Sequence, residues 1–215
     1  MKVVTIGGYL GSGKTTALMK ICPILHDKYN AKIALIVNEL GDVPVDGRIV
    51  EESELNVKEI FGGCICCTVA GTFQRTLGVL KREFNPDIVI TEPTGVAIPH
   101  QLKLVAAMAF RDYKIGMGPA IILFDASRPE ICDDEILGRL VRTQVEDADF
   151  VPLSKVDIAS EEDIQKSIQI IREVNKNAEI FRFSSVTGEG VDRMIEIIIE
   201  AKDYPIPEYW GTIRK

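Results

Sequence analysis

GGYLGSGKTT, residues 7–16, is the most informative segment of this sequence. Within it, GYLGSGKT at 8–15 fits the phosphate-loop pattern G-x-x-x-x-G-K-[ST] in full. An apolar run, KVVTI at 2–6, comes before the loop and a helical pattern at 14–28 follows it. A strand, a glycine-rich loop and a helix in this order are the context in which a phosphate loop forms, so the sequence predicts a nucleotide-binding α/β domain.

Each part of this loop has a physical task. The glycines let backbone N–H groups curl around phosphate oxygens, and the following helix directs the positive end of its dipole at the same anion. Lys14 is expected to reach the β- and γ-phosphates, Thr15 to take a Mg²⁺ position and Thr16 to contact the α-phosphate. A glycine-rich turn that binds nothing is disfavoured by the complete motif in this context.

The rest of the chain alternates short β-branched runs with longer helical patterns. The predicted strands are 2–6, 32–37, 87–90, 120–124, 149–153 and 179–183. The predicted helices are 14–28, 68–84, 98–110, 129–146, 160–174 and 190–201. We expect an α/β fold of the P-loop NTPase class, a doubly wound, mainly parallel sheet in a three-layer α/β/α sandwich. Loop-like segments interrupt the pattern at 38–63 and 111–119.

Length and composition favour one domain. The 215 residues contain no linker, so we expect a P-loop GTPase domain at 1–202 and a Pro- and aromatic-rich tail at 203–215. No apolar run approaches the roughly 20 residues of a membrane span, and a signal-peptide pattern is missing. The expectation is a cytoplasmic protein that does not bind membranes. The net charge of −7 argues against a nucleic-acid partner.

Two later segments favour a guanine site. SKVD at 154–157 follows an apolar run, where a base-reading loop lies in a doubly wound sheet. Asp157 is suited to accept hydrogen bonds from guanine, and the stem of Lys155 to cover the base. FSSVTGEG at 183–190 follows the next strand and offers backbone N–H groups to the guanine carbonyl. Two ordinary strand-to-helix loops are the alternative.

Three of the five cysteines lie in FGGCICCT, residues 61–68. This crowding and the odd total do not suit a disulfide framework and favour metal or redox chemistry. Three thiolates bind Zn²⁺, Co²⁺ and similar ions but leave a tetrahedral ion one ligand short. The fourth ligand is left open between Glu39, water, a second subunit and a client protein. Cys22 and Cys132 are interpreted as small core residues.

These motifs as a set resemble the CobW/HypB/UreG group of metal-handling GTPases, and its CobW-like branch in particular. The motifs run in order over most of the chain. They are GGYLGSGKTT, NELGDVPVDG (38–47), GGCICCT (62–68), TEPTGVAIP (91–99) and SKVD. Three departures accompany the resemblance. Ser154 stands where the family usually has asparagine, and residues 184–186 are Ser-Ser-Val rather than Ser-Ala-Lys. The expectation is also that the family's second domain and His-rich tract are missing.

The resemblance implies a role for each matching residue. The switch segment would include Asn38, Glu39, Gly41 and Asp42, and Glu92 and Gly95 would lie near Mg²⁺ and the γ-phosphate. The expected nucleotide contacts are Gly8, Gly11, Ser12, Gly13, Lys14, Thr15, Thr16, Lys155, Asp157, Ser184, Ser185 and Val186. The expected Mg²⁺ ligands are Thr15 and Glu92. The resemblance implies Cys64, Cys66 and Cys67 as transition-metal ligands, and Glu39 is one of the candidates for the fourth position. The expected catalytic residues are Lys14 and Glu92, with Glu39 and Asp42 as alternatives to Glu92.

The expected function is a slow GTPase metallochaperone. It would bind Zn²⁺, Co²⁺ or Ni²⁺ at its cysteines and deliver the ion to a client metalloprotein or a cofactor-assembly partner. A homodimer is left open, and so is the choice between GTP and ATP, because of Ser154. Two alternatives remain: an iron–sulfur electron carrier driven by nucleotide, and a regulatory GTP switch that uses no transition metal.

Overall fold

The computed structural model describes residues 1–37, 77–98 and 115–200. The strands in these ranges are β1 (Lys2–Gly8), β2 (Ile33–Val37), β3 (Ile88–Glu92), β4 (Gly116–Asp125), β5 (Phe150–Ser154) and β6 (Glu179–Arg182). The α-helices are α1 (Lys14–Tyr29), α2 (Leu137–Glu146), α3 (Glu161–Val174) and α4 (Val191–Ile199). A π-helical segment, Leu80–Phe84, and a 3₁₀ helix, Pro129–Asp133, complete them.

The six strands lie in the order β2-β3-β1-β4-β5-β6, and every neighbouring pair is parallel. The chain leaves β1 toward one edge of the sheet and leaves β3 toward the other. Ligands of doubly wound sheets bind where the direction of the connections reverses, at the carboxyl ends of the strands. The predicted parallel sheet is therefore confirmed, and its topology places the crevice at the end of β1.

Helices cover both faces of the sheet, as a three-layer fold requires. On β4, Ile121 and Leu123 point into the cluster that contains α1 and α4. Ile122 and Phe124 point the other way, into the cluster that contains α2 and α3. The alternation of side chains along a strand produces this division. In the described parts of the chain, no helix combines the length and apolar character needed to cross a membrane.

Two of the differences between the predicted and the observed boundaries have a clear physical cause. β4 begins at Gly116, inside the predicted loop 111–119, because Gly116 N–H bonds Met1 C=O at 3.0 Å and the strand pairs along β1. The predicted helix 129–146 is broken: Asp134 is extended, and its Oδ1 accepts from the N–H groups of Ile136 and Leu137 at 2.9 and 2.8 Å. A side chain that satisfies the first donors of a helix sets its start.

One buried amide holds the junction between α2 and the strands. The Asn175 side-chain nitrogen donates to three carbonyls at and after the end of α2, at 2.9–3.1 Å. Its oxygen accepts from the N–H groups of Asn177 and Ala178 at 3.1 and 2.9 Å. All the hydrogen-bonding capacity of the amide is used, so the turn before β6 depends on it.

Replacing this amide should destabilise the fold. Asn175→Ala leaves the three carbonyls and two N–H groups without their partner, and we expect a loss of about 3 kcal/mol in the free energy of unfolding, measured by urea denaturation. Asn177→Ala is the matched control, since Asn177 is exposed, and should change stability by less than about 0.5 kcal/mol. Equal effects of the two variants would contradict this assignment.

Candidate nucleotide-binding site

The loop between β1 and α1 has the backbone shape of an anion-binding nest. Gly8, Gly11 and Gly13 have φ angles of 139°, 75° and 91°, in the region that favours glycine. A Cβ atom on Gly8 would lie 2.5 Å from the Leu123 carbonyl oxygen, so no other residue fits there without displacement. Gly13 caps α1 without a side-chain hydrogen bond, and the first N–H groups of the helix therefore face the loop.

Lys14 lies across this loop. Its Nζ donates to the carbonyls of Gly8 and Tyr9 at 3.1 and 3.4 Å, although the side chain is largely buried. An ammonium group held at this place adds a positive charge beside the backbone donors. Ser12 is buried within the loop, and Thr16 is exposed on the first turn of α1.

A hydroxyl and a carboxylate meet beside the loop. Thr15 Oγ1 donates to Glu92 Oε1 at 2.9 Å, and Glu92 is only 3% exposed at the end of β3. The contact forms because β3 is the direct neighbour of β1. Hydroxyl and carboxylate oxygens are ligands that Mg²⁺ accepts, so this pair fits the ion that the sequence predicts there.

The loop after β3 is fixed from two sides. Gln144, buried on α2, donates through Nε2 to the carbonyls of Gly95 and Ala97 at 3.0 and 2.9 Å. A Cβ atom on Gly95 would lie 2.8 Å from the backbone nitrogen of Leu10, so the two loops touch. The sequence carries no signal for Gln144, because a glutamine inside a helix is usually a solvent-exposed residue.

The SKVD segment begins as β5 ends. Ser154 is buried and donates to the Phe124 carbonyl at 3.2 Å, so its hydroxyl links β4 to β5. Lys155 has a left-handed backbone, with φ at 61°. Asp157 is exposed, and among the described residues no hydrogen bond engages its carboxylate.

The loop after β6 lies against this segment. Val156 N–H contacts the Phe183 carbonyl at 3.5 Å. Ser184 is buried, and its Oγ accepts from the N–H groups of Val186 and Thr187 at 3.2 and 3.1 Å, so the hydroxyl builds the turn. Ser185 is partly exposed and Val186 is 78% exposed at the outer side of the loop.

Asp125 lies at the end of β4, beside the SKVD loop, and belongs to none of the sequence motifs. Burial by itself raises the pKa of this carboxyl, but hydrogen bonds from Lys155, Ser127 and Arg128 outweigh burial and lower the pKa below its usual value. Its only sequence signal is its position, since it is the polar residue directly after the apolar run AIILF. Polar residues at the carboxyl ends of parallel strands gather at one edge of the sheet.

The predicted transition-metal site lies outside the described residues. This holds for Cys64, Cys66, Cys67 and Glu39, and also for the other switch residues, Asn38, Gly41 and Asp42. Within the described ranges, no three His, Cys, Asp or Glu side chains form a group that could hold a metal ion. Cys22 and Cys132 are buried free thiols, which confirms their interpretation as core residues.

The fold and the loops together define a nucleotide-binding domain of the P-loop class. The glycine-rich loop follows the central strand, a carboxylate ends the neighbouring strand and the SKVD loop follows β5. The particular family follows from the sequence match. Residues 2–182 match the CobW/HypB/UreG nucleotide-binding domain, and the chain belongs to that family.

Named relatives agree with this assignment. The zinc chaperone YeiR of Escherichia coli (strain K12) is 35% identical over 163 residues, covering 74% of this chain and 48% of YeiR. The zinc chaperone YjiA of the same organism is 29% identical over 202 residues, covering 88% of this chain and 58% of YjiA. The chain thus spans about half the length of these relatives.

A solved structure shares the fold. HypB from Helicobacter pylori, in complex with nickel, superposes with a TM-score of 0.67 at 20% sequence identity. The match covers 94% of this chain and 90% of the HypB chain.

The core thiol nearest to the site should be unreactive. Burial, and secondarily the negative charge of Glu92, raise the pKa of Cys22 to about 12. At pH 8.5 its thiolate fraction is then below about 0.1%. We expect no modification of the Cys22 peptide by iodoacetamide in the folded protein between pH 7 and 9, and full modification in 6 M guanidinium. Mass spectrometry measures both, and labelling of Cys22 in the folded state would contradict its burial.

Proposed function

We propose that this chain is a GTP-binding and GTP-hydrolysing metallochaperone. A transition-metal ion is its cargo, bound at Cys64, Cys66 and Cys67, with Glu39 as a candidate fourth ligand. The observation that carries the proposal is the buried Glu92 carboxylate, 2.9 Å from the Thr15 hydroxyl beside a complete phosphate loop. The names of its relatives, zinc chaperones, support the choice of cargo.

The phosphate loop supplies charge stabilisation. Backbone N–H groups of residues 8–16 and the ammonium of Lys14 would neutralise the charge of the triphosphate. Thr15 and Glu92 would hold Mg²⁺, which supplies further charge neutralisation when bound. Glu92, with Glu39, is the candidate for orienting the attacking water. The water oxygen forms a bond to the γ-phosphorus while the bond from that phosphorus to the β–γ bridging oxygen breaks. The electron pair of the broken bond leaves with GDP, and the proton lost by the water passes to the released phosphate.

The base is recognised at the ends of β5 and β6. Asp157 is exposed and suited to accept hydrogen bonds from the guanine N–H groups. Lys155 would cover the base, and the turn at 184–186 borders it. Because the Ser154 hydroxyl already contacts Phe124, we expect guanine selectivity to depend mainly on Asp157.

Nucleotide and metal binding are proposed to be linked through residues 38–63. This segment begins directly after β2, whose last residue, Val37, pairs with Glu92, and it ends at the cysteines. A γ-phosphate that orders such a segment changes the arrangement of any ligands it carries. The linkage is reciprocal, so a tenfold effect on metal affinity corresponds to about 1.4 kcal/mol in either direction. Delivery to a client metalloprotein, and a possible homodimer, belong to the same proposal.

Loss of the loop lysine should abolish hydrolysis. Lys14→Ala removes the cation that lies across the phosphate loop, and we expect GTP hydrolysis, measured by phosphate release, to fall at least about 100-fold. Zn²⁺ binding without nucleotide should stay unchanged. Lys20→Ala is the matched control, an exposed lysine on the same helix, and should hydrolyse GTP normally. Normal turnover by Lys14→Ala would show that the loop has another role.

Metal binding should require the cysteine motif and respond to nucleotide. The Cys64→Ser/Cys66→Ser/Cys67→Ser variant is expected to lose high-affinity Zn²⁺ and Co²⁺ binding in calorimetric titrations, while Cys132→Ser keeps it. In the unmodified chain, exchanging GDP for a non-hydrolysable GTP analogue should change the metal affinity about tenfold or more.

Two experimental results would favour another function over the metallochaperone. Equal metal binding by the unmodified chain and the triple variant would leave a regulatory GTP switch. Brown protein with iron and acid-labile sulfide after anaerobic purification would indicate an electron carrier.

A further inference from the structure

The carboxylate of Asp125 contacts two cations, one in the SKVD loop and one that reaches the phosphate loop. Asp125 Oδ2 accepts from Lys155 Nζ at 2.7 Å and from Arg128 Nε at 2.9 Å, and Arg128 Nη2 lies 2.8 Å from the same oxygen. Its Oδ1 accepts from Ser127, at 3.1 Å from the backbone nitrogen and 2.6 Å from the hydroxyl. The Asp125 side chain is only 8% exposed, whereas Arg128 and Lys155 are 43% and 32% exposed, so the carboxylate is buried and its cationic partners lie at the surface.

The two cations that contact Asp125, Lys155 and Arg128, are associated with different loops. Lys155 belongs to the SKVD loop, and its ammonium is tied down while its backbone is held at a φ of 61°. Arg128 Nη2 also donates to the Leu10 carbonyl at 3.3 Å, in the phosphate loop. A Cβ atom on the next residue, Gly11, would lie 3.2 Å from the same Nη2, so the guanidinium lies directly against that loop.

The sheet explains why the carboxylate can reach both loops. Asp125 pairs with Ser154 at the end of β5, and Ala126 N–H bonds the Ser154 carbonyl at 3.0 Å. On the other side, β4 is paired with β1 up to Gly8 and Leu123. Asp125 therefore ends the strand that lies between the strand of the phosphate loop and the strand of the base loop.

We infer that Asp125 is a positioning residue that links base recognition to the phosphate loop, by holding Lys155 on one side and, through Arg128, the Leu10 carbonyl on the other. This inference rests on the proposed guanine-nucleotide binding. Asp125 itself is not expected to contact the nucleotide. Its negative charge orients two cations, and loss of that charge releases both. The lowered pKa of its carboxyl keeps it ionised throughout the neutral range.

The test is the affinity for a fluorescent GDP, mant-GDP, measured with the full chain by titration. Asp125→Asn removes the charge with almost no change of shape, and we expect its Kd to rise about tenfold or more. Asp133→Asn is the matched control, because Asp133 pairs with Lys166 at 2.9 Å on the exposed surface and lies in the 3₁₀ helix. Its Kd should change less than twofold.

Non-additivity distinguishes positioning from a general structural role. Lys155→Met and Arg128→Met should each weaken mant-GDP binding about threefold or more in the unmodified chain. In the Asp125→Asn background each should add less than a twofold effect, because the cations are already released. Equal effects in both backgrounds, or normal binding by Asp125→Asn, would overturn the inference.

Two further results distinguish failure of this inference from failure of the proposed function. If Asp125→Asn does not fold, as judged by circular dichroism, Arg128→Met decides, with Arg142→Met as its control because Arg142 forms a surface pair with Glu173 at 2.6 Å. Normal binding by Arg128→Met then overturns the inference. If the unmodified chain binds no mant-GDP, the proposed function itself fails. Binding by the unmodified chain with no loss in Arg128→Met or Asp125→Asn refutes only the link through Asp125.

Discussion

The site depends on one close approach between two strands. At Gly8 the backbone of β1 lies so near the Leu123 carbonyl of β4 that a side chain would collide with it. This approach lets the chain turn sharply at the end of β1 and begin α1 at Lys14. The contact of the Lys14 ammonium with the Gly8 carbonyl follows from that turn.

Around this turn, charge is concentrated in a part of the molecule that excludes water. Lys14 and Glu92 are both largely buried, and charged groups are rarely buried unless they are paired or used. The cost of burying them is offset only where partners are provided, and here the partners include backbone carbonyls and a threonine hydroxyl. In the proposed function, a triphosphate and Mg²⁺ bind beside these groups.

The neighbouring loops are held by residues that lie far from any motif. Gln144, on α2, holds the loop after β3. Asp125, at the end of β4, holds Lys155 of the SKVD loop, which follows β5. In both cases a side chain on a regular element restrains a loop, so the loop geometry is set before a ligand arrives. Such preorganisation lowers the conformational entropy that binding removes.

Local sequence patterns were sufficient to predict the class of fold and the phosphate loop. Alternating apolar runs and helical patterns predicted all six described strands, and the spacing of the glycines, Lys14 and Thr15 predicted the loop, because these are local properties of the chain. The sequence did not reveal the start of β4 at Gly116 or the break at Asp134. The glycines at the start of β4 give no strand signal, and the strand forms there because it pairs with β1. The side chain of Asp134 accepts from the first N–H groups of α2 and so interrupts an otherwise helical pattern.

Contacts between residues that are distant in the sequence, by contrast, are set by the packing of the whole fold. Thr15 and Glu92 are 77 positions apart, and Lys155 and Asp125 are 30 apart, yet each pair is in hydrogen-bond contact. Strand order brings them together, and no local pattern specifies strand order, since it depends on how the helices cover both faces of the sheet.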